Sequence, residues 1–255
     1  MPGTSPGMTE QPPRMPPPLA GRIALVTGAS RGIGYATALA LAKAGAHVIA
    51  VARTVGGLEE LDDAIKAAGS SATLVPLDLK DYEGIDRLGH ALRQRFARLD
   101  VLVGNAAMLG PLSPLGHVEA KAWQEVIAVN VTANWRLICA MDELLKRSDA
   151  GRVVFISSGI TATAHAYWGP YTVSKAALEA LARTYAAETA TTKVRVNLFT
   201  PGPTRTRMRA QAFPGEDPMT LEAADTVAEK VVELCLPSVT ETGKLYAYQK
   251  GQGVS

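Results

Sequence analysis

The 255-residue chain has only two cysteines, Cys139 and Cys235, which lie far apart and form no CxxC pair. That excludes a disulfide framework, and with four scattered histidines and no HExxH spacing it argues against a zinc site. Aromatic residues make up only 5% of the sequence, so any core is aliphatic. Neither sign of charge dominates. Twenty-six Lys and Arg face 24 Asp and Glu for a net charge of +2, a balance unlike that of a nucleic-acid-binding domain. No uninterrupted apolar run reaches the roughly 18–20 residues needed to span a bilayer, and the N-terminus shows no apolar core of a signal peptide. These absences predict a soluble protein in a reducing, cytoplasmic setting, with no metal, no membrane and no nucleic-acid partner.

What is present is 47% apolar and 20% charged residues, enough aliphatic surface for a large core. Residues 1–18, MPGTSPGMTEQPPRMPPP, contain little that can be buried and read as a flexible, proline-rich tail. From Arg22 onward, β-branched runs alternate with stretches of helical period. The runs are 23–27, 47–52, 73–77, 99–104, 152–157, 194–199 and, less regular, 244–248. Strands apolar along their whole length belong to a parallel sheet covered on both faces, and the segments between them read as right-handed crossover helices. The prediction for 19–255 is one α/β domain of the doubly wound, Rossmann type, with about seven parallel strands and helices on both faces.

The first strand runs directly into Thr27-Gly28-Ala29-Ser30-Arg31-Gly32-Ile33-Gly34 and an alanine-rich helix. Glycines at such a strand-to-helix junction let the backbone turn tightly and approach a pyrophosphate, which the positive end of the helix stabilises. Gly28, Ser30, Arg31, Gly32, Ile33 and Gly34 are therefore candidate coenzyme contacts. Sheets of this kind that bind NAD usually carry an acidic residue about 20 residues further on. Here the second strand ends Val51-Ala52-Arg53-Thr54, with no acid before Glu59. A guanidinium suits a 2′-phosphate that a carboxylate would repel, so Arg53, helped by Arg31, favours NADP(H) over NAD(H).

Tyr171 and Lys175 stand at i and i+4, on one face of a helix. An ammonium beside a phenol favours the ionised form and would bring its pKa down from about 10, giving a general acid/base. Such a pair is common by chance, and its neighbours decide what it means. Ser158 lies thirteen positions before Tyr171 at the end of a strand run, and Asn130 twenty-eight before that. With the glycine turn, Asp78-Leu79 and Pro201-Gly202-Pro203-Thr204-Arg205-Thr206 in the same order, the chain resembles the short-chain dehydrogenase/reductase family over nearly all its length after the tail.

The resemblance implies a role for each matching residue. Tyr171 would exchange a proton with the substrate oxygen, and Lys175 would lower the phenol's pKa and hold the nicotinamide ribose. Ser158 would hydrogen-bond the substrate oxygen, and Asn130 would support a water between Lys175 and solvent. Asp78 and Leu79 would contact adenine, Asn105 and Ala106 the adenosine ribose, and Pro201, Gly202, Thr204 and Thr206 the nicotinamide end. The implied chemistry is hydride transfer between nicotinamide and a carbonyl or secondary alcohol. The chain departs from the family pattern twice. Gly104-Asn105-Ala106-Ala107 replaces the usual Asn-Asn-Ala-Gly, where the Ala107 methyl narrows the site, and Thr200 replaces the Asn that commonly precedes Pro-Gly. Residues 205–217 resemble a little-characterised bacterial branch of the family, which names no substrate.

Met108, Leu109, the stretch 159–168 and the loop 205–219 are expected to line the substrate pocket. Trp168 and Tyr167 are open to two readings, as a stacking surface or as packing under the loop. His165 could be a second proton donor but reads rather as a surface histidine, and Arg205, Arg207 and Arg209 could hold an acidic substrate, yet on a helical turn they would not all point into one pocket. One long helix is expected over about 119–146. In the family this helix and the one after Tyr171 form subunit contacts, which implies a homodimer or homotetramer. Two functions from other classes remain open on the sequence alone: a non-catalytic NADP(H)-binding regulatory module, and a scaffold docking through the proline-rich tail.

Overall fold

The computed structural model describes residues 16–249 apart from Ala164. The tail reading therefore lies outside the described residues except for 16–18. Leu19, the first residue after it, is fully buried, and its amide donates to Ala44 O at 2.9 Å.

Seven strands form one parallel sheet: β1 (Ile23–Thr27), β2 (His47–Ala52), β3 (Ala72–Pro76), β4 (Val101–Gly104), β5 (Arg152–Ile156), β6 (Arg195–Thr200) and β7 (Leu245–Ala247). Their spatial order is β3-β2-β1-β4-β5-β6-β7. All pairs are parallel, with Leu25 facing Ile49 on one side and Leu102 on the other. Each strand lies within a residue or two of its sequence-predicted run. β4 starts two residues late because Asp100 is committed elsewhere: its buried carboxylate accepts from Ile23 N, Arg22, Arg98 and Ser148. Pro76 closes β3, an edge strand, where a missing N–H costs no ladder bond.

Side chains alternate between two cores. Leu25, Ile49, Leu102, Val153 and Val196 face α3 (Tyr82–Arg95), α5 (Ala133–Lys146) and α6 (Gly169–Glu188). Ala24, Val26, Val48, Ala50, Val101 and Val154 face α1 (Gly32–Lys43), α2 (Val55–Ala67) and α8 (Ala224–Leu234). The fold is thus the doubly wound sheet expected, with helices on both faces. The long helix expected over 119–146 is broken. An α-helix, α4 (Ala120–Ile127), passes through a π turn at Ala128–Thr132 before α5 begins. A π turn frees a backbone carbonyl from the regular ladder, and here Asn130 O accepts from Asn134 Nδ2 at 2.9 Å. The short α7 (Arg207–Ala212) contributes to the lining of the cleft described below. No helix among the described residues is long and apolar enough to cross a membrane.

Candidate active site

The strand order reverses direction between β1 and β4, the place where doubly wound sheets open a crevice. A cleft of about 1210 Å³ lies there, lined from the carboxyl ends of β1, β4, β5 and β6. It exceeds the roughly 300–1,000 Å³ usual for one small ligand and has room for two.

Its floor is the β1–α1 turn. Gly28 and Gly32 have φ of +67° and +57°, the left-handed region that side chains avoid. A Cβ on Gly34 would stand 2.3 Å from Gly28 O and from Asn105 Nδ2, so glycine is required for α1 to start this close to β4. No side chain caps α1 and no acid stands in its first turn, which leaves its first amides and its positive end free for an anion. Ser30, Arg31 and Ile33 line the cleft, while Gly34 stands behind Gly28. This cradle fits a dinucleotide pyrophosphate.

At the end of β4, Asn105 donates from its backbone to Thr27 Oγ1 at 3.0 Å and from Nδ2 to Thr27 O at 2.9 Å. Ala106 N donates to the same hydroxyl at 3.1 Å. Thr27, not singled out from sequence, is the buried post that fixes β4 to the glycine turn. The departure at Gly104 also has a physical cause. A Cβ there would lie 2.4 Å from the Phe155 ring and 2.6 Å from Asn134 Oδ1, so this chain has no space for the family's asparagine. Ala107 lines the cleft as expected.

Strand β5 delivers Ser158, and the first two turns of α6 deliver Tyr171 and Lys175 to the same wall. The Ser158 hydroxyl acts on the Tyr171 phenol from the same wall. The expected lowering of the phenol's pKa is not found. Burial pushes Tyr171 up to about 12, with the Ser158 hydroxyl acting the other way. The Lys175 ammonium is directed past it. Nζ donates to Ile156 O at 2.6 Å and stands 5.7 Å from the Tyr171 ring centroid. Burial brings Lys175 down to about 8, and the Glu179 carboxylate opposes that change.

Asn130 is fully buried and does not line the cleft. Its Oδ1 accepts from Met108 N at 2.8 Å, and its Nδ2 donates to Met108 O and Ser174 Oγ at 2.9 Å each. The side chain thus fastens the loop after β4 to α6. Sequence reasoning missed Glu179, which is only 6% exposed. Its Oε1 accepts from Ser157 Oγ at 2.7 Å and Thr161 Oγ1 at 2.8 Å, on either side of Ser158. Its spacing was readable, since 171, 175 and 179 repeat every four residues along one helix face.

At the other end of the cleft, Arg53 Nη1 lies 3.7 Å from Asp78 Oδ2, both groups open to solvent, and Leu79 lines the wall beside them. After β6, Pro201, Gly202, Thr204 and Thr206 line the cleft, and Thr206 reaches within 3.4 Å of where a Gly32 Cβ would be. Met108, Leu109 and Trp168 line the remaining part, whereas Tyr167 has φ +73° and is 59% exposed, outside the lining. His165 is exposed at the rim. Among the described residues no cluster of His, Cys, Asp and Glu could hold a metal.

A glycine-turn cradle facing a Ser-Tyr-Lys group across one cleft defines a dinucleotide-binding oxidoreductase. A short chain dehydrogenase profile matches residues 22–217, and the chain belongs to the short-chain dehydrogenase/reductase family. It is 37% identical over 235 residues to an uncharacterised oxidoreductase, YciK, of Escherichia coli K12, covering 91% of this chain and 93% of that protein. It is 39% identical over 214 residues to a rhamnolipid-biosynthesis 3-oxoacyl-(acyl-carrier-protein) reductase of Pseudomonas aeruginosa, covering 80% of each. Its structure resembles a short chain dehydrogenase from Shigella flexneri 2a solved with NADP, at a TM-score of 0.87 and 36% identity, covering 91% of this chain and 99% of that one.

Proposed function

We propose that the protein is an NADP(H)-dependent reductase or dehydrogenase that moves a hydride between nicotinamide and a carbonyl or secondary alcohol, with Tyr171 as general acid/base. The observation that carries this reading is the convergence of Ser158, Tyr171 and Lys175 on the cleft whose other end is the glycine cradle. The solved neighbour with NADP and the relative named as a 3-oxoacyl reductase support coenzyme and reaction class.

The coenzyme, when bound, supplies or accepts the hydride. The chain's own residues do the rest. Gly28, Gly32 and the first turn of α1 hold the pyrophosphate, and Arg31 and Arg53 hold a 2′-phosphate. Ser158 Oγ orients the substrate oxygen towards Tyr171 Oη. A buried phenol pushed up to about 12 keeps its proton at neutral pH, the form needed to protonate the oxygen of a carbonyl as it is reduced. Lys175, in its protonated form, provides positive charge under that proton transfer, and Glu179 favours this form. Asn130 acts through the loop that it pins rather than by contact with substrate.

We propose further that the domain spans 19–255, that the protein acts in the cytoplasm, and that α4, α5 and α6 form the contact of a homodimer or homotetramer. NADPH oxidation followed across ketones, aldehydes and acyl thioesters tests the central reading. Turnover that Tyr171→Phe loses is expected. NADPH binding with no turnover of any carbonyl contradicts it in favour of a regulatory module.

A further inference from the structure

The part of the cleft beyond Tyr171 is walled by α7 and Phe213. Helix α7 has only six residues, too few to be stable alone, so its position depends on what its side chains grip. Thr206 Oγ1 caps it by accepting from Arg209 N at 3.2 Å. At its other end the Arg209 guanidinium donates from Nε and Nη2 to both Glu216 oxygens at 2.6 Å. The same guanidinium lies over the Phe213 ring, 3.7 Å from its centroid. Backbone bonds close the turn around this pair, Phe213 N to Arg209 O at 2.9 Å and Glu216 N to Phe213 O at 3.1 Å. Phe213 packs on Trp168 with centroids 5.6 Å apart, and Trp168 meets Tyr171 edge-on at 6.1 Å. The reacting phenol is the last member of a stack that begins at an ion pair.

This arrangement sets the character of the substrate end. Arg209 lines the cleft with its charge already matched by Glu216. Contrary to the sequence expectation, Arg205 and Arg207 line the same cleft as Arg209, but both are exposed to solvent, which screens their charge, and Arg205 rests Nη1 on the Met219 sulfur at 3.3 Å. Phe213 is left 39% exposed, an aromatic surface facing the cleft beside Leu109, Ile160 and Met208.

We infer that the substrate carries, a few bonds from its carbonyl, a neutral apolar ring that stacks against Phe213 and Trp168, and that the Arg209–Glu216 pair is the positioning device that holds this wall in place. The inference rests on the reductase reading above and adds the substrate class to it. It is tested with 4-phenylbutan-2-one, 4-oxopentanoate and butan-2-one, which share a methyl ketone and differ in bearing phenyl, carboxylate or hydrogen at C4.

Binding is measured by calorimetry to Tyr171→Phe protein saturated with NADPH, so that no turnover is needed. The phenyl ketone is expected to bind about tenfold or more tighter than 4-oxopentanoate. Phe213→Ala is expected to lose roughly tenfold for the phenyl ketone, and Glu216→Gln a smaller part of it, with less change for butan-2-one. Phe213→Leu serves if the alanine variant does not fold. Equal or tighter binding of 4-oxopentanoate, no binding of the phenyl ketone at millimolar concentration, or a Glu216→Gln loss that is the same for all three ketones overturns the inference. Phenyl preference in binding without reduction by the wild-type protein supports the inference and removes the reductase reading. Reduction that favours the carboxylate keeps that reading and removes the inference.

Discussion

Removing Arg53 should change which coenzyme the protein prefers. The guanidinium stands at the end of β2, 58% exposed and 3.7 Å from the Asp78 carboxylate, so its attraction for a 2′-phosphate is screened by solvent and partly offset by Asp78. A charge-assisted hydrogen bond contributes roughly 1.5–3 kcal/mol. Exposure places Arg53 at the lower end, about 1.5 kcal/mol, or about tenfold in affinity. Arg53→Ala should therefore weaken NADPH about tenfold and leave NADH nearly unchanged, because the adenosine 2′-hydroxyl carries no charge. Arg53→Asp should go further by placing two carboxylates against the phosphate, and Asp78→Asn in the Arg53→Ala background should recover part of the loss. The assay is fluorescence titration of both coenzymes at low and high salt, with the difference narrowing as salt rises. A ratio of NADPH to NADH affinity that neither Arg53 variant changes refutes the reasoning.

Two further predictions follow from the buried line on α6. Lys175 has a folded pKa of about 8 against 10.5 for the free side chain, so between these values the unfolded chain binds the proton more tightly and stability rises with pH. Below pH 8 the folded state carries the whole penalty, of the order of a few kcal/mol. Lys175→Met should therefore raise Tm by several degrees at pH 7 while activity is lost, and the gain should shrink to nothing by about pH 10.5; an unchanged or lower Tm at pH 7 speaks against it. Glu179→Gln keeps the shape but removes the charge that favours protonated Lys175, so the alkaline fall of kcat should move to lower pH. A profile identical to wild type is the contrary result.

Much of this was legible in the sequence because the pattern is local. Whole apolar runs such as 23–27 and 152–157 require a sheet covered on both sides, and they form the strands Ile23–Thr27 and Arg152–Ile156. The glycine turn, Ser158, Tyr171 and Lys175 line one cleft because each sits at a strand end or a helix start whose position the topology determines. What the sequence hid depends on distant partners. The sign of the Tyr171 shift follows from burial, and the Lys175 ammonium is directed at Ile156 O; residue spacing reveals neither. The break at Ala128–Thr132 follows from a carbonyl taken up by Asn134, and the need for Gly104 from Phe155 on the neighbouring strand. Sequence alone does not distinguish Arg209 from Arg205 and Arg207; Glu216, seven residues away, holds it in the fold.

The central claim is tested most directly by following one hydrogen. NADPH deuterated at C4 of the nicotinamide, at the pro-R position in one sample and the pro-S position in a second, is mixed with the protein and the most reactive carbonyl of the panel, and the product is analysed by mass spectrometry and NMR. The account predicts deuterium bound to the carbinol carbon, transferred from a single face of the nicotinamide, with Tyr171→Phe binding NADPH but forming no labelled alcohol. Labelled alcohol produced equally by Tyr171→Phe, or no labelled alcohol from either labelled coenzyme with wild-type protein that binds NADPH, contradicts it.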